Sequence, residues 1–183
     1  MRAFVGIPAP EAWIAPLVRA QGAVPGGREV GVDDLHVTLA FLDDQPEDRL
    51  EALHEGLEGR ALPAATLRPM AFAGFGAPPR LVALDLHAEP GLGALRDAVR
   101  AAARAAGIDL PRERFRPHLT LRRASRARPF DGARLPARLA ALGLPAMAPA
   151  PATSVVLWGS TLTPDGPVYD PLATYPLPLP VAP

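Results

Sequence analysis

Two tetrapeptides hold the residues best suited to chemistry: His36-Val37-Thr38-Leu39 and His118-Leu119-Thr120-Leu121. In an extended strand, side chains two apart share a face. Each segment therefore presents a histidine beside a threonine and turns Val37, Leu39, Leu119 and Leu121 toward an apolar layer. Imidazoles titrate near neutrality, so a pair of them supplies an acid and a base at one pH. Two threonine hydroxyls can donate to the non-bridging oxygens of a phosphate held between them. This set suits in-line displacement at phosphorus, in which one histidine activates the nucleophile and the other protonates the leaving oxygen. One His-x-Thr alone says little, because a histidine among apolar neighbours commonly serves the core. Two copies at matching places in the two halves point to function.

Composition removes several other chemistries. The chain has 183 residues, 49% of them hydrophobic, enough for the core of one domain or of two tightly joined lobes. It has no cysteine, and all 19 basic residues are arginine. Thiol catalysis, thiolate metal sites and lysine Schiff bases are thereby excluded. The 19 acidic residues bring the net charge to zero, which argues against electrostatic coating of nucleic acid but permits a local basic groove. Two histidines make a poor zinc set, since catalytic zinc usually takes about three protein ligands. Asp33, Asp34, Asp43 and Asp44 flank the first motif and are read as loop, turn and helix N-cap residues, so neither metal nor cofactor is expected. The N-terminus has no signal-peptide pattern. The uncharged stretch 139–164 is broken by Gly143, Pro145, Pro149 and Pro151. A cytoplasmic monomer is the expectation.

The elements that must position the motifs follow from periodicity. Strands are expected at Arg2–Ile7, Leu35–Leu42, Thr66–Phe75, Leu81–Leu86, Arg116–Arg123 and Ser154–Trp158, with an edge strand at Tyr169–Leu177. Helices are expected from Pro10 to Gly22 (Trp13, Ile14, Leu17 and Val18 inward), from Pro46 to Leu57, from Pro90 to about Gly107, and around Ala133–Leu142. Arg96, Arg100 and Arg104 fall at i, i+4 and i+8 on the third helix and are expected on a solvated face. His54 is placed in solvent, His87 in a loop, and Trp13, Trp158, Tyr169 and Tyr175 in packing, with Tyr169 able to edge a cleft. Each half reads strand, helix, strand, helix, strand. The fold class is therefore α+β: two similar lobes related by a pseudo-two-fold axis, each with an antiparallel-rich sheet and outer helices, around a central cleft. We expect a single bilobal domain over 1–183, with lobes of roughly 1–78 and 79–183 and the C-terminal strands able to cross between them.

The chain resembles the two-histidine (2H) phosphoesterases, and within them the RNA 2′,3′-cyclic phosphodiesterases, once called 2′-5′ RNA ligases. The resemblance runs from RAFVGIPAP through LHVTLAFL and RFRPHLTLRR to VVLWGSTLTPDGPVY, nearly the whole length. It implies metal-independent hydrolysis of RNA 2′,3′-cyclic phosphate ends to 2′-phosphomonoesters, with His36 and His118 catalytic and Thr38 and Thr120 on the phosphate. The family also uses the residue five after each histidine. Here these are Phe41, which would stack a nucleobase, and Arg123, which would hold phosphate. Strand alternation alone selects Arg122 instead, and only a bulge or a strand end would turn Arg123 inward. The family pattern usually has glycine where this chain has Asp43.

By resemblance His118 is the general base toward water and His36 the general acid toward the departing 3′-oxygen. The local charges agree: Asp33, Asp34, Asp43 and Asp44 would raise the pKa of His36, and the arginines around His118 would lower its own. The arginine-rich run 112–128 is the candidate contact for a single-stranded RNA end. Three other readings stay open: a 2H esterase for small cyclic nucleotides or ADP-ribose cyclic phosphates, a non-catalytic RNA-end binding module, and a structural domain in which the paired motifs are coincidence. Ligation by the reverse reaction is also compatible with the motifs.

Overall fold

In the computed structural model, which describes residues 1–164 and 166–180, the alternating apolar runs become strands of one large antiparallel sheet. Residues 181–183, at the end of the expected C-terminal lobe, lie outside the described residues. In chain order the elements are β1 (Arg2–Pro8), α1 (Glu11–Ala23), β2 (Arg28–Glu29), a 3-10 turn (Val32–Asp34), β3 (His36–Asp44), α2 (Glu47–Glu58), β4 (Thr66–Leu67), β5 (Pro69–Phe75), β6 (Leu81–Leu86), α3 (Pro90–Ala105), β7 (His118–Arg123), α4 (Leu135–Leu142), β8 (Ala150–Pro151), β9 (Ser154–Thr163) and β10 (Gly166–Pro176). The sheet order is β10-β9-β1-β3-β7-β6-β5, with β2 also on β7. β10 is an edge strand, as its prolines require.

Two similar lobes meet at one seam. β9, β1 and β3 form the first half and β5, β6 and β7 the second, and β3 meets β7 at the pair Val37 and Leu119. The helix-covered face buries Val37, Leu39, Leu119 and Leu121 under α2 and α3, whose Leu50, Leu53, Leu57, Leu92, Leu95 and Val99 share that core. At roughly 1.5–3 kcal/mol for each fully buried large apolar side chain, this layer is what holds the lobes in register. The opposite face at the seam carries the polar members of both motifs.

Two expectations are corrected. The strand expected over Thr66–Phe75 splits at Arg68: β4 leaves to pair with β8, and β5 starts at Pro69, which has no N–H to continue a ladder. Val18 is exposed, because the inward stripe of α1 runs through Trp13, Leu17 and Ala20 instead. Among the described residues no helix is long and apolar enough to cross a membrane.

Candidate active site

The seam register builds the site. Val37 opposite Leu119 in an antiparallel pair makes His36 the cross-strand neighbour of Thr120, and Thr38 that of His118. Side-chain placement agrees, for His36, Thr120 and Arg123 line one cavity and His118, Thr38 and Phe41 line another. Each motif thus lends its threonine, and the residue five after its histidine, to the other motif's histidine.

That fifth residue reaches the cleft through a bulge. On β3, Val5 pairs Ala40 while Gly6 pairs Thr38, leaving Leu39 as an extra residue. On β7, Val82 pairs Arg122 while Ala83 pairs Thr120, leaving Leu121 extra. Both bulges occupy the fourth motif position, and each resets the alternation so that Phe41 and Arg123, rather than Ala40 and Arg122, join the histidine face. Ala40 is buried in the core. Arg122 turns away and donates to the carbonyls of Gly26 (2.7 Å), Gln21 (2.7 Å) and Gly27 (3.2 Å) and to Glu29 (2.7 Å). Phe41 stays exposed, with the Arg2 guanidinium 4.7 Å from its ring centre. Gly6 permits the close approach on the first bulge: a Cβ there would lie 2.6 Å from the Val37 carbonyl oxygen.

Each histidine is oriented by the same backbone device. His36 Nδ1 donates to the Asp34 carbonyl (2.6 Å) and His118 Nδ1 donates to the Arg116 carbonyl (2.9 Å), two residues back in both cases. A carbonyl only accepts, so the proton sits on Nδ1 and the working lone pair of the neutral ring sits on Nε2. An aromatic wall backs each ring. His36 stacks on Phe4 at 4.6 Å, with Trp158 at 5.4 Å and Tyr169 at 5.5 Å. His118 lies 4.8 Å from Phe75, whose ring is covered by Arg116 at 4.0 Å; Arg116 in turn pairs with buried Asp85 at 2.7 Å.

The two environments differ in burial. His36 is 9% exposed, and burial pushes its pKa down to about 4, aided by the Arg123 and His118 charges and opposed by the Asp34 carbonyl. This corrects the expectation that flanking aspartates raise it. Asp43 and Asp44 stand at the far end of β3, roughly 23 Å along the strand at about 3.3 Å per residue. Asp34 meets the ring through its backbone oxygen. Its own carboxyl is raised by burial and by Asp33, with Arg28 pulling it back. The aromatic wall from β1, β9 and β10 decides the balance, by desolvation.

Other expected residues also move. Arg96 and Arg100 are buried: Arg96 lies 4.7 Å over Phe115 and 3.4 Å from Glu113, and Arg100 donates to the Pro111 carbonyl. Their stems pack on apolar surface while their heads staple the 111–115 segment that leads into β7. His54 hydrogen-bonds the Tyr175 hydroxyl at 3.0 Å instead of facing only solvent. Within the arginine-rich run, Arg116 and Arg122 are committed to internal partners. The sequence reading passed over Arg28, which lines the His36 cavity from the Gly26-Gly27 turn; a lone arginine after two glycines was the available signal. Among the described residues no three His, Asp or Glu side chains gather closely enough to hold a metal ion.

The profile of the 2′-5′ RNA ligase superfamily matches residues 8–160, a span that includes both motifs, both bulges and the seam. The chain belongs to that superfamily. Its members include relatives named RNA 2′,3′-cyclic phosphodiesterase. The one from Geobacillus stearothermophilus is 33% identical over 109 residues, 57% of this chain and 34% of that protein, so the match spans about a third of the relative. The one from Archaeoglobus fulgidus is 28% identical over 139 residues, 70% of this chain and 76% of that protein. Among solved structures, E. coli LigT complexed with 3′-AMP is similar with a TM-score of 0.76 at 26% identity, covering 96% of this chain and 97% of LigT. The superfamily's 2H phosphoesterase fold is therefore the fold of this chain. Asp43, the position at which the resemblance leads one to expect glycine, adopts φ 60°, the left-handed backbone a glycine would favour, at a further irregularity in the β1–β3 register.

Proposed function

We propose that the protein hydrolyses 2′,3′-cyclic phosphate at the 3′ end of RNA to a 2′-phosphomonoester by two-histidine acid/base catalysis. The observation that carries this reading is the seam register, which sets His36 against Thr120 and His118 against Thr38 on one face of the sheet. The Thr38 and Thr120 hydroxyls and the Arg123 guanidinium bind the non-bridging oxygens of the phosphate. Phe41 stacks the terminal base. His118 Nε2 takes a proton from water, whose oxygen attacks phosphorus opposite the 3′-oxygen. The bond from phosphorus to the 3′-oxygen breaks, and His36 Nε2 delivers a proton to that oxygen. Phosphorus stays on the 2′-oxygen. Each proton transfer contributes roughly 10²–10⁴-fold. All six residues come from one chain, so a monomer suffices.

The acid needs a proton that burial denies it in the empty cleft, so His36 acquires its proton together with the phosphate, whose negative charge favours imidazolium. A 5′-hydroxyl in place of water would give a 2′-5′ linkage in the same geometry, which is the ligation reading. The test is an EDTA-treated preparation incubated with an oligonucleotide ending in a 2′,3′-cyclic phosphate, beside His36→Ala and His118→Ala. A 2′-phosphate formed without added metal and lost in both variants is the expected result. A folded parent that converts nothing, or variants as active as the parent, would overturn the proposal. Conversion of small cyclic nucleotides but not of RNA ends would favour the small-substrate reading.

A further inference from the structure

The cleft does not end at Arg123. Beyond it, a groove of about 420 Å³ runs between the turn after β7 and the start of β10, lined by Arg28, Arg123, Ser125, Arg128, Gly166 and Pro167 among others. It shares Arg28, Arg123 and Pro167 with the His36 cavity, so the two adjoin. Among the described residues, no carboxylate lies within ion-pair distance of Arg28, Arg123 or Arg128, whereas Arg68, Arg96, Arg100, Arg116 and Arg122 all have one.

The groove is held in shape by backbone. Gly27 N–H donates to the Arg128 carbonyl (3.2 Å), and Arg128 N–H donates to the Ser125 carbonyl (3.2 Å) and hydroxyl (3.1 Å), tying the two arginine-bearing turns together. Gly27, at φ 64°, lies so close on Phe130 that a Cβ would come within 2.6 Å of its ring. Gly166 leaves room for the Arg28 guanidinium, which any side chain there would strike. Asp34 acts on Arg28 from the His36 side. On the groove side, three guanidiniums on a fixed scaffold repel one another in a way that a phosphate among them relieves, their planar forks suiting its oxygens.

We infer that this groove is a second phosphate site, which takes the internucleotide phosphate on the 5′ side of the cyclised nucleotide and makes RNA chain ends better substrates than free cyclic mononucleotides. The inference rests on the phosphodiesterase reading for which phosphate lies between the histidines. Arg128 is the residue to test, since it is exposed and lines the groove but not the His36 cavity.

With a nucleoside 2′,3′-cyclic phosphate, Arg128→Glu should keep kcat/KM within about twofold of the parent. With a hexanucleotide ending in the same cyclised nucleotide, kcat/KM should fall about tenfold at about 50 mM salt, and the log–log salt slope should flatten by about 0.7. In parallel, anisotropy of a 5′-fluorescein hexanucleotide should show weaker binding to His118→Ala/Arg128→Glu than to His118→Ala alone. Equal loss on both substrates, no change on either, or equal binding by the two His118→Ala proteins would overturn the inference. If the parent converts neither substrate, the phosphodiesterase reading fails and the binding comparison still decides the groove.

Discussion

Val37 and Leu119 face each other across the seam between β3 and β7, and the approximate two-fold relation of the lobes centres on that pair. Everything polar in the cleft is ordered around it. One position outward on either side lies a histidine opposite a threonine, and four positions out lies Phe41 or Arg123, brought round by the matching bulges at Leu39 and Leu121. Because the side-chain period of a strand is two, a slip of either strand by one residue at this seam would send that strand's histidine into the core and part it from the other motif's threonine. The register is fixed from beneath, where Val37 and Leu119 are fully buried. Packing on one face thereby sets the chemistry on the other.

The bulge at Leu121 gives the two consecutive arginines opposite duties. Arg122→Ala would take a donor from the part-buried carbonyls of Gly26, Gln21 and Gly27, so it should cost about 2–4 kcal/mol in denaturant unfolding while folded protein keeps its turnover. Arg123→Gln should unfold like the parent but lose at least about tenfold in kcat/KM on a cyclic phosphate. The reverse pattern would mean that Arg122, not Arg123, serves the cleft.

Helices, strands and the two His-x-Thr segments were legible because each depends on short-range pattern: leucines at 50, 53 and 57 fix the buried stripe of α2, and alternation fixes β3 up to Thr38. What was not legible depends on contacts between segments far apart in the chain. Alternation points to Ala40 and Arg122, and nothing local in Leu39 or Leu121 marks a bulge; it exists because β1 and β6 pair out of step at those points. Only the resemblance pointed to the fifth residue. Arg96 and Arg100 looked solvated because an amphipathic helix was read without the 111–115 segment that folds over it. The aspartates around His36 are neighbours in sequence, whereas Phe4, Trp158 and Tyr169 are its neighbours in space.

Gly6 should tolerate no side chain. Gly6→Ala drives a Cβ against the Val37 carbonyl, and relief requires β1 to part from β3. We expect a loss of about 1–3 kcal/mol in chemical denaturation. Turnover should drop as well, because β1 carries the Phe4 ring against which His36 stacks. A variant with parental stability would show that the strands have slack at the first bulge.

Asp43 sits at φ 60° and pairs with Arg2 at 3.4 Å in an exposed contact of small worth. Asp43→Gly should therefore be neutral or stabilising, by up to about 1 kcal/mol, since glycine enters the left-handed region without a Cβ penalty. Asp43→Val should cost about 1–2 kcal/mol. Thermal melting of the three proteins orders them Gly, Asp, Val from most to least stable; Val equal to Asp would show that the backbone relaxes out of that conformation.

In the proposed mechanism His36 links protonation to both stability and catalysis. Its folded pKa of about 4 lies below the 6.5 of an unperturbed imidazole, so the unfolded chain binds the proton more readily. The stability this represents is fully present above about pH 6.5 and is lost as the pH falls through the folded value. The full difference is about 3 kcal/mol. Urea unfolding of the parent should show this loss between pH 7 and 4, and His36→Asn, with nothing to titrate there, should be flatter by that amount. Substrate should reverse the effect. With a 2′-nucleotide product bound, the imidazole proton resonances of His36 should titrate about 1 to 3 pH units higher than in the free protein, because the phosphate stabilises the charged ring. A His36 that titrates near 6.5 in the free protein would remove the burial argument, and one that does not move with the product bound would remove its role as the acid.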